Sequence, residues 1–564
     1  MAYYNPFSEK YKSPFGAVCC NTSVHFSIDA RGFTEATLCT DTLGNFVMQK
    51  NEDYFETTIT FLTAGLTYYW FYVTDLNGNK FDIKRGEDGT GIKAENNENA
   101  FQLTVYEDTP ALPHWYEKGI VYQIFPDRFN TYGEVIKAKQ NAVYREWNEP
   151  TEYLRNPDGS IEKWDFYGGN LKGIEEKLPY LKELGITAIY LNPIFESSSN
   201  HRYSTADFKK IDNVLGTLDD FKSLVKKADE YKIKLILDGV FNHVGADSLY
   251  FNRYGNYGDD GAYQNQNSKY KSWFKFENYP DKYKCWWGVT DLPDLEKEND
   301  EVQRYLIDGD ESVIKYWTNL GIGGWRLDVA DELSDNFLSK LYKQVKAINK
   351  DAIVMGEVWE DASNKVAYNT LKKYFTHREL DCVMNYPFRD NLLAFFRNEI
   401  DAFKLKNIFL SLMENYPKKA FYGNFNLLGT HDTTRILTEA ESILPENPVS
   451  LLTQLVALQF VFPGVPCIYY GDEVGVTGGK DPCNRKPYPW GNENKEIFDI
   501  YKKYTSLRST LDCLKSGETE FIAESKDVFG IRRFNNEQSY TLLINRASDN
   551  ILDIAPHGIK EELK

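Results

Sequence analysis

The stretch GIGGWRLDVADELSDNF (321–337), followed by IVMGEVWEDASNK (353–365), decides the fold. In each, a short apolar run ends on a carboxylate, Asp328 in the first and Glu357 in the second. A strand that ends in a polar group and hands over to a helix is the unit of a parallel α/β sheet. Working outward, GIVYQIF (119–125), AIYLN (188–192) and KLILDGV (234–240) precede this pair, and LDCVMN (380–385), NLLGT (426–430) and CIYYG (467–471) follow it. Eight such strands in series predict an α/β fold, a closed (β/α)8 TIM barrel. The helices between them show their inward stripes directly. Phe221, Leu224, Val225 and Ala228 recur at i, i+3, i+4 and i+7, as do Val313, Tyr316, Trp317 and Leu320. Pro179 falls inside the helical pattern ahead of the second strand and interrupts it.

The flanks read differently. Residues 1–112 hold short strand-like runs such as Ser23 to Ile28 and Leu66 to Val73, separated by Gly, Asn and Asp, which predicts an N-terminal β-sandwich domain. The catalytic barrel then covers 113–511, with an insertion after strand three at about 245–294, rich in Tyr, Asn, Asp and Trp. An insertion of that length on the functional face of a barrel is more often used than idle. Alternation returns in VFGIRRF and SYTLLINR, so 512–564 is expected to be a C-terminal β-domain, short enough to be truncated.

Composition narrows the partners. At 564 residues the chain exceeds one hydrophobic core, and a net charge of −18 argues against nucleic acid and anionic membrane surfaces. The 39 Tyr and 11 Trp suit stacking on sugar faces, although core filling uses the same residues. The opening MAYYNPFSEKYKSPFG lacks a basic start and an apolar run, and no later stretch is apolar enough to span a bilayer, which predicts a cytoplasmic protein. Eight cysteines without a CxxC pair predict reduced thiols.

The polar strand ends carry the chemistry, because barrel active sites form there. Strand three ends in DGVFNH (Asp238, Asn242, His243), strand four in WRLD (Arg326, Asp328), strand five in GEVW (Glu357, Trp359), and strand seven is followed by His431 and Asp432. Taken singly, each carboxylate reads as a helix cap or a solvated charge. Converging from strands four, five and seven, Asp328, Glu357 and Asp432 suit glycoside cleavage, which needs one neutral and one ionised carboxyl group flanking the bond. Arg326, two residues before Asp328, points to the same side and is expected to keep that nucleophile ionised. Glu357 is expected to hold a proton through burial and neighbouring negative charge.

The order and wording of DGVFNH, GWRLDVADE, GEVW and GTHD, with FPDRF and FYGGNLKGI upstream and FPGVPCIYYGDEVG downstream, closely resemble the α-amylase family, glycoside hydrolase family thirteen. NPIFESSSNHRYSTADF, YKCWWG, WEDASNK and MNYPF are similar to its neopullulanase and cyclomaltodextrinase branch, whereas LPDL (292–295) and Ser204 depart from that branch. The resemblance implies a retaining α-glycosidase of maltodextrins, cyclodextrins, pullulan or starch. It makes Asp328 the nucleophile, Glu357 the acid/base and Asp432 the stabilising third carboxylate. It also implies that Tyr203 stacks under the sugar, that His243 and His431 bind at the same subsite, that Asp481 and Arg485 bind the next sugar, and that Trp359 lies along the leaving glucan's path. Asp238 and Arg326 complete the expected substrate-binding set. No cofactor is required on this reading. Relatives that bind calcium do so after strand one, where this chain offers Asn130 and Glu134, or at the position of Asn242, and calcium prefers several carboxylates. The partner is then an α-glucan, taken by a monomer or homodimer. A glucanotransferase or isomerase would share the covalent intermediate, and an inactive glucan-binding protein would not need the three intact carboxylates.

Overall fold

The computed structural model describes residues 3–29, 31–94, 99–108, 110–157 and 159–564. Its central sheet has eight strands: β1 (Val121–Ile124), β2 (Ala188–Leu191), β3 (Lys234–Gly239), β4 (Gly324–Leu327), β5 (Ile353–Gly356), β6 (Cys382–Val383), β7 (Phe425–Leu427) and β8 (Val465–Tyr469). Neighbours pair in parallel throughout, β8 returns to β1 with Val121 opposite Cys467, and a bridge between Met384 and Phe425 closes the ring. This is the barrel that the strand series predicts.

The period of two along each strand separates two environments. Tyr122, Ile189, Leu235, Trp325, Val354 and Ile468 face the helices in the main core. Val121, Ala188, Ile236, Ile353, Cys382, Phe425 and Val465 fill the barrel interior. Helix Leu218–Glu230, whose apolar stripe the sequence shows, starts at a capping box in which Thr217 and Asp220 satisfy each other's backbone. Pro179 falls at the expected interruption of the helical pattern. It stands in the first turn of Leu178–Leu184, just after Leu171–Glu176 ends, where its missing N–H costs nothing.

The N-terminal region forms a four-stranded and a seven-stranded sheet around a core of its own, with Phe26, Ile28, Leu38, Tyr69, Phe71 and Phe101 buried between them. The runs expected from sequence lie within Thr22–Asp29 and Gly65–Asp75. This sandwich rests on the side of the barrel. Lys12 makes a buried 2.8 Å ion pair with Glu414 of helix Ala402–Asn415, and Gln102 Nε2 donates to Ser363 Oγ (3.0 Å) in the loop after β5. The C-terminal strands Glu518–Ser525, Val528–Phe534, Ser539–Asn545 and Ile559–Leu563 form an antiparallel sheet without a separate core. Their Phe521 and Phe529 pack 5.7 and 5.8 Å from Phe409, inside the barrel's own cluster.

The insertion after β3 folds around Tyr250, Phe251, Trp273, Phe274 and Tyr283. Its return segment is sewn back to the strand end, with Val244 N donating to Pro293 O (3.1 Å) and Leu295 N to Asn242 O (2.9 Å). No helix among the described residues is long and apolar enough to cross a membrane, and all eight cysteines are unpaired.

Candidate active site

Two residues up β1, β3 and β4 from the apolar interior the side chains turn polar, whereas Met355 on β5, Leu427 on β7 and Cys467 on β8 stay in the apolar cluster. Gln123 on β1, Asp238 on β3 and Arg326 on β4 stand in this upper layer, and Asp328 and Glu357 follow directly after β4 and β5. The backbone after β4 is strained: Val329 has φ +39°, a left-handed value that a β-branched residue rarely adopts. Its N–H reaches Glu357 Oε2 at 2.8 Å, so the turn carries a donor across from β4 to β5.

A continuous chain of contacts joins nearly all the residues singled out from sequence. Trp359 Nε1 donates to Glu357 Oε1 (3.1 Å), and its ring stacks on Tyr386 at 3.8 Å. Arg326 Nη2 lies 2.9 Å from Glu357 Oε2, and its Nη1 donates to Asp328 Oδ1 (2.8 Å) and Asp238 Oδ1 (2.9 Å). Asp238 Oδ2 accepts from the hydroxyls of Tyr190 (2.6 Å) and Tyr203 (2.8 Å). The Tyr203 ring stacks on His431, whose Nε2 lies 2.6 Å from the Tyr203 hydroxyl and 3.0 Å from Asp432 Oδ2. Arg485 then meets Asp432 Oδ1 at 3.4 Å and Asp481 at 3.0 Å, and Tyr153 holds Asp481 from the far side (2.7 Å).

Two expectations change. Arg326 does not serve Asp328 alone: one buried guanidinium faces Asp238, Asp328 and Glu357 together. Burial pushes Asp328 well above the usual carboxylate range, Glu357 and Asp238 add to the rise, and Arg326 only opposes it. A cluster with more carboxylates than cations retains a proton that belongs to the group as a whole. Asp238 is also not open to a ligand. It is enclosed by Arg326, Tyr190 and Tyr203, and braces them.

The residues open to a ligand are few. Trp359 is 42% exposed, and Tyr203, Asp432 and Asp481 are partly exposed. Burial pushes Asp432 up to about 6, and Arg485 pulls against it. His431 is kept neutral by burial and by the nearby Arg485. His243 stands apart from the chain of contacts, beside Asn242 (3.2 Å) and against the Trp286 ring at 5.4 Å. Burial first and Lys297 second hold it down to about 3, and its buried Nε2 has no hydrogen-bond partner among the described residues. The ring is therefore neutral, and it is enclosed like Asp238 and not open to a ligand.

Several contributors carry no signal in the sequence. Gln123 Nε2 lies 2.9 Å from His431 Nδ1, which leaves the ring proton on Nε2 facing Asp432, and it also donates to Asn192 Oδ1 (3.0 Å). Asn192 in turn donates to the Tyr203 hydroxyl (3.0 Å). Outside the mouth, Glu473 is buried between the hydroxyls of Tyr122 (2.6 Å) and Tyr180 (2.9 Å), and burial pushes it up to about 7.

The positions considered for calcium have other partners. Asn130 Nδ2 donates to Gly173 O (3.1 Å) and Glu176 (2.9 Å), while Glu134 is exposed. The amide oxygen of Asn242, the atom a cation would use, accepts from the Lys297 ammonium at 2.7 Å. Asp294 lies 4.0 Å from the same nitrogen. A tethered ammonium therefore stands where a hard cation would need open oxygen ligands, and this donor set does not fit calcium.

The model of the α-amylase catalytic domain matches residues 123–516. The chain is 35% identical to an amylopullulanase of Thermoanaerobacter thermohydrosulfuricus over 95% of its own length and 40% of the relative's. It is 35% identical to a cyclomaltodextrinase of Thermoanaerobacter pseudethanolicus over 88% of this chain and 82% of that one. The chain spans less than half the length of the amylopullulanases it matches, between 28 and 46%. Among solved structures, a cyclomaltodextrinase aligns with a TM-score of 0.70 and 28% identity, covering 97% of this chain and 91% of the other. A cyclic α-maltosyl-(1→6)-maltose hydrolase of Arthrobacter globiformis aligns with a TM-score of 0.70 and 29% identity over 80% of this chain and 99% of the other.

Proposed function

The chain belongs to the α-amylase family, in its neopullulanase and cyclomaltodextrinase-like branch, and from that premise we propose that it hydrolyses α-1,4 and α-1,6 glucosidic bonds of short α-glucans with retention of configuration. One observation carries this reading: a single guanidinium, Arg326, touches carboxyl groups from adjacent strands, Asp328 and Glu357. Shared contact with one small cation keeps the pair together on the side where a bound sugar would lie.

In the first step Asp328 attacks the anomeric carbon, and Glu357 passes its proton to the glycosidic oxygen. Glu357 Oε2 is held by Val329 N–H and Arg326, whereas Oε1 meets only the Trp359 indole, so Oε1 is the oxygen left to face the glycosidic oxygen. In the second step water, deprotonated by Glu357, attacks the glycosyl-enzyme and releases Asp328. Asp432 and His431 grip the sugar hydroxyls, Tyr203 supports the ring, and Arg485 with Asp481 binds on the side away from Trp359. Unpaired thiols fit a reducing compartment, and we place the protein in the cytoplasm, working without a metal.

Polarimetry of maltohexaose cleavage tests the chemistry. The first product formed should be the α-anomer, and a β-anomer would overturn the retaining assignment. Products from cyclodextrin, pullulan, starch and maltotriose test the substrate class. Per bond, kcat/KM should be higher for maltohexaose or β-cyclodextrin than for soluble starch, and equal or better efficiency on starch would mean an open, polymer-accepting cleft.

A further inference from the structure

The sandwich comes up to the edge of the barrel mouth at Trp359. Its turn at Arg85–Glu87 and its Asn99 face Trp359 across a groove of about 500 Å³. The far wall is built by two helices, α1 (Tyr386–Phe396) and α2 (Ala402–Asn415), which contribute Asn391 and Asn407. A cleft of this size accommodates a small ligand.

Three features make it more than a seam between domains. First, it borders the candidate site through Trp359, which lines it and hydrogen-bonds Glu357 Oε1. Because Glu357 faces the glycosidic oxygen, the groove begins on the leaving-group side, opposite Arg485 and Asp481. Second, the Trp359 ring is fixed by stacking on Tyr386 and still presents 42% of its surface. A rigid, exposed indole offers an apolar face to a pyranose ring at low entropic cost. Third, several of the surrounding polar groups keep donors or acceptors free, although Arg85 donates to Ser411, Glu360 pairs with Lys365 and Asp390 with Arg389. Among the described residues no carboxylate lies within ion-pair distance of Arg85, and no hydrogen bond occupies the side chains of Glu87 or Asn407. Asn391 uses its nitrogen on Pro387 O (2.7 Å) and leaves its oxygen without a protein partner among them.

We infer that this groove binds the leaving-side extension of a linear α-glucan, and that the N-terminal sandwich supplies part of that site. The inference rests on the hydrolase reading above and deepens it: the preferred linear substrates are those long enough to pass Trp359 and reach Arg85, Asn391 and Asn407. The pyranose next to the cleaved bond would lie on Trp359, and the following sugars would exchange hydroxyl hydrogen bonds with the carboxamides and the guanidinium.

The test is the double variant Asn391→Ala, Asn407→Ala in the full chain, both in helices where alanine is well tolerated. The readout is the ratio of kcat/KM for maltoheptaose to that for maltotriose. Loss of two sugar hydrogen bonds should lower this ratio by about tenfold and move the favoured cleavage point along maltoheptaose. An unchanged ratio with an unchanged cleavage point overturns the inference. Should the wild-type chain cleave neither sugar, the hydrolase reading fails, and calorimetric binding to Asp328→Asn decides the groove separately. Maltoheptaose should then bind about tenfold more weakly when Asn391 and Asn407 are also replaced, and equal affinity overturns the groove assignment.

Discussion

Ile236 and Asp238 lie two residues apart on β3 and face the same barrel interior, yet they belong to opposite environments. Below, Val121, Ala188, Ile236, Ile353 and Val465 pack without a polar side chain among them. Above, Gln123, Asp238 and Arg326 are just as buried and entirely polar, and Arg326 Nε points down at Met384 Sδ (3.4 Å), the seam between the layers. The lower layer gains free energy by leaving water, while the upper one loses it for each charge enclosed and recovers it through mutual contact. The difference shows how a rigid apolar floor lets the strand ends hold a crowded set of carboxylates at fixed spacing.

Substitutions in the two layers should therefore fail in different ways. Asp328→Asn should lower turnover by at least about 10³-fold while the melting temperature holds or rises, because a charge leaves an overcrowded cluster. Ile353→Ala, beneath it, should cost about 2–5 kcal/mol of stability and leave the residual folded enzyme active. A large stability loss in the first, or ordinary activity in it, would break the contrast.

Titration sharpens it further. With Asp432 at about 6, the acid limb of kcat/KM should rise through that pH as the carboxylate ionises to accept sugar hydroxyls. Arg485→Gln removes the opposing cation, so the limb should move to higher pH; movement to lower pH would contradict the assignment. A smaller effect is expected from Glu473, whose folded value of about 7 lies above its ordinary 4.5. Its contribution to stability is complete below about 4.5 and is lost as pH rises through about 7. Melting curves at pH 5 and pH 8 should show a drop that Glu473→Gln reduces. The smallest effect concerns metal: exhaustive chelation should leave activity where it was, and loss restored by calcium would show that Lys297 yields its place.

The barrel was legible because its strands are short apolar runs, several of them closed by a polar residue, and the structure brings the residues at such closures, Asp328, Glu357, His431 and Asp432, to one mouth. What the sequence hid were contacts between distant segments. Gln123 reads as one polar residue inside the apolar run GIVYQIF, and only closure of β1 beside β8 brings it to His431. The sharing of Arg326 depends on register, which sets Asp238 opposite it on the neighbouring strand. The strain at Val329 has no compositional mark, since valine is an ordinary residue after a strand. Lys297 reaches Asn242 only because the whole insertion folds back on β3.

That last contact gives one corner of the mouth an unusual kind of autonomy. A diffusible counterion stabilises in proportion to the logarithm of its concentration, so any site built on one inherits the ionic history of its surroundings. The ammonium of Lys297 is synthesised with the chain, at fixed stoichiometry, and neither dilution nor a competing chelator changes its occupancy. The solute that can act on it is the proton. Burial pulls the lysine below its ordinary value, so its charge disappears at a lower pH than that of a free lysine, and alkalinity rather than ion scarcity is what loosens this corner.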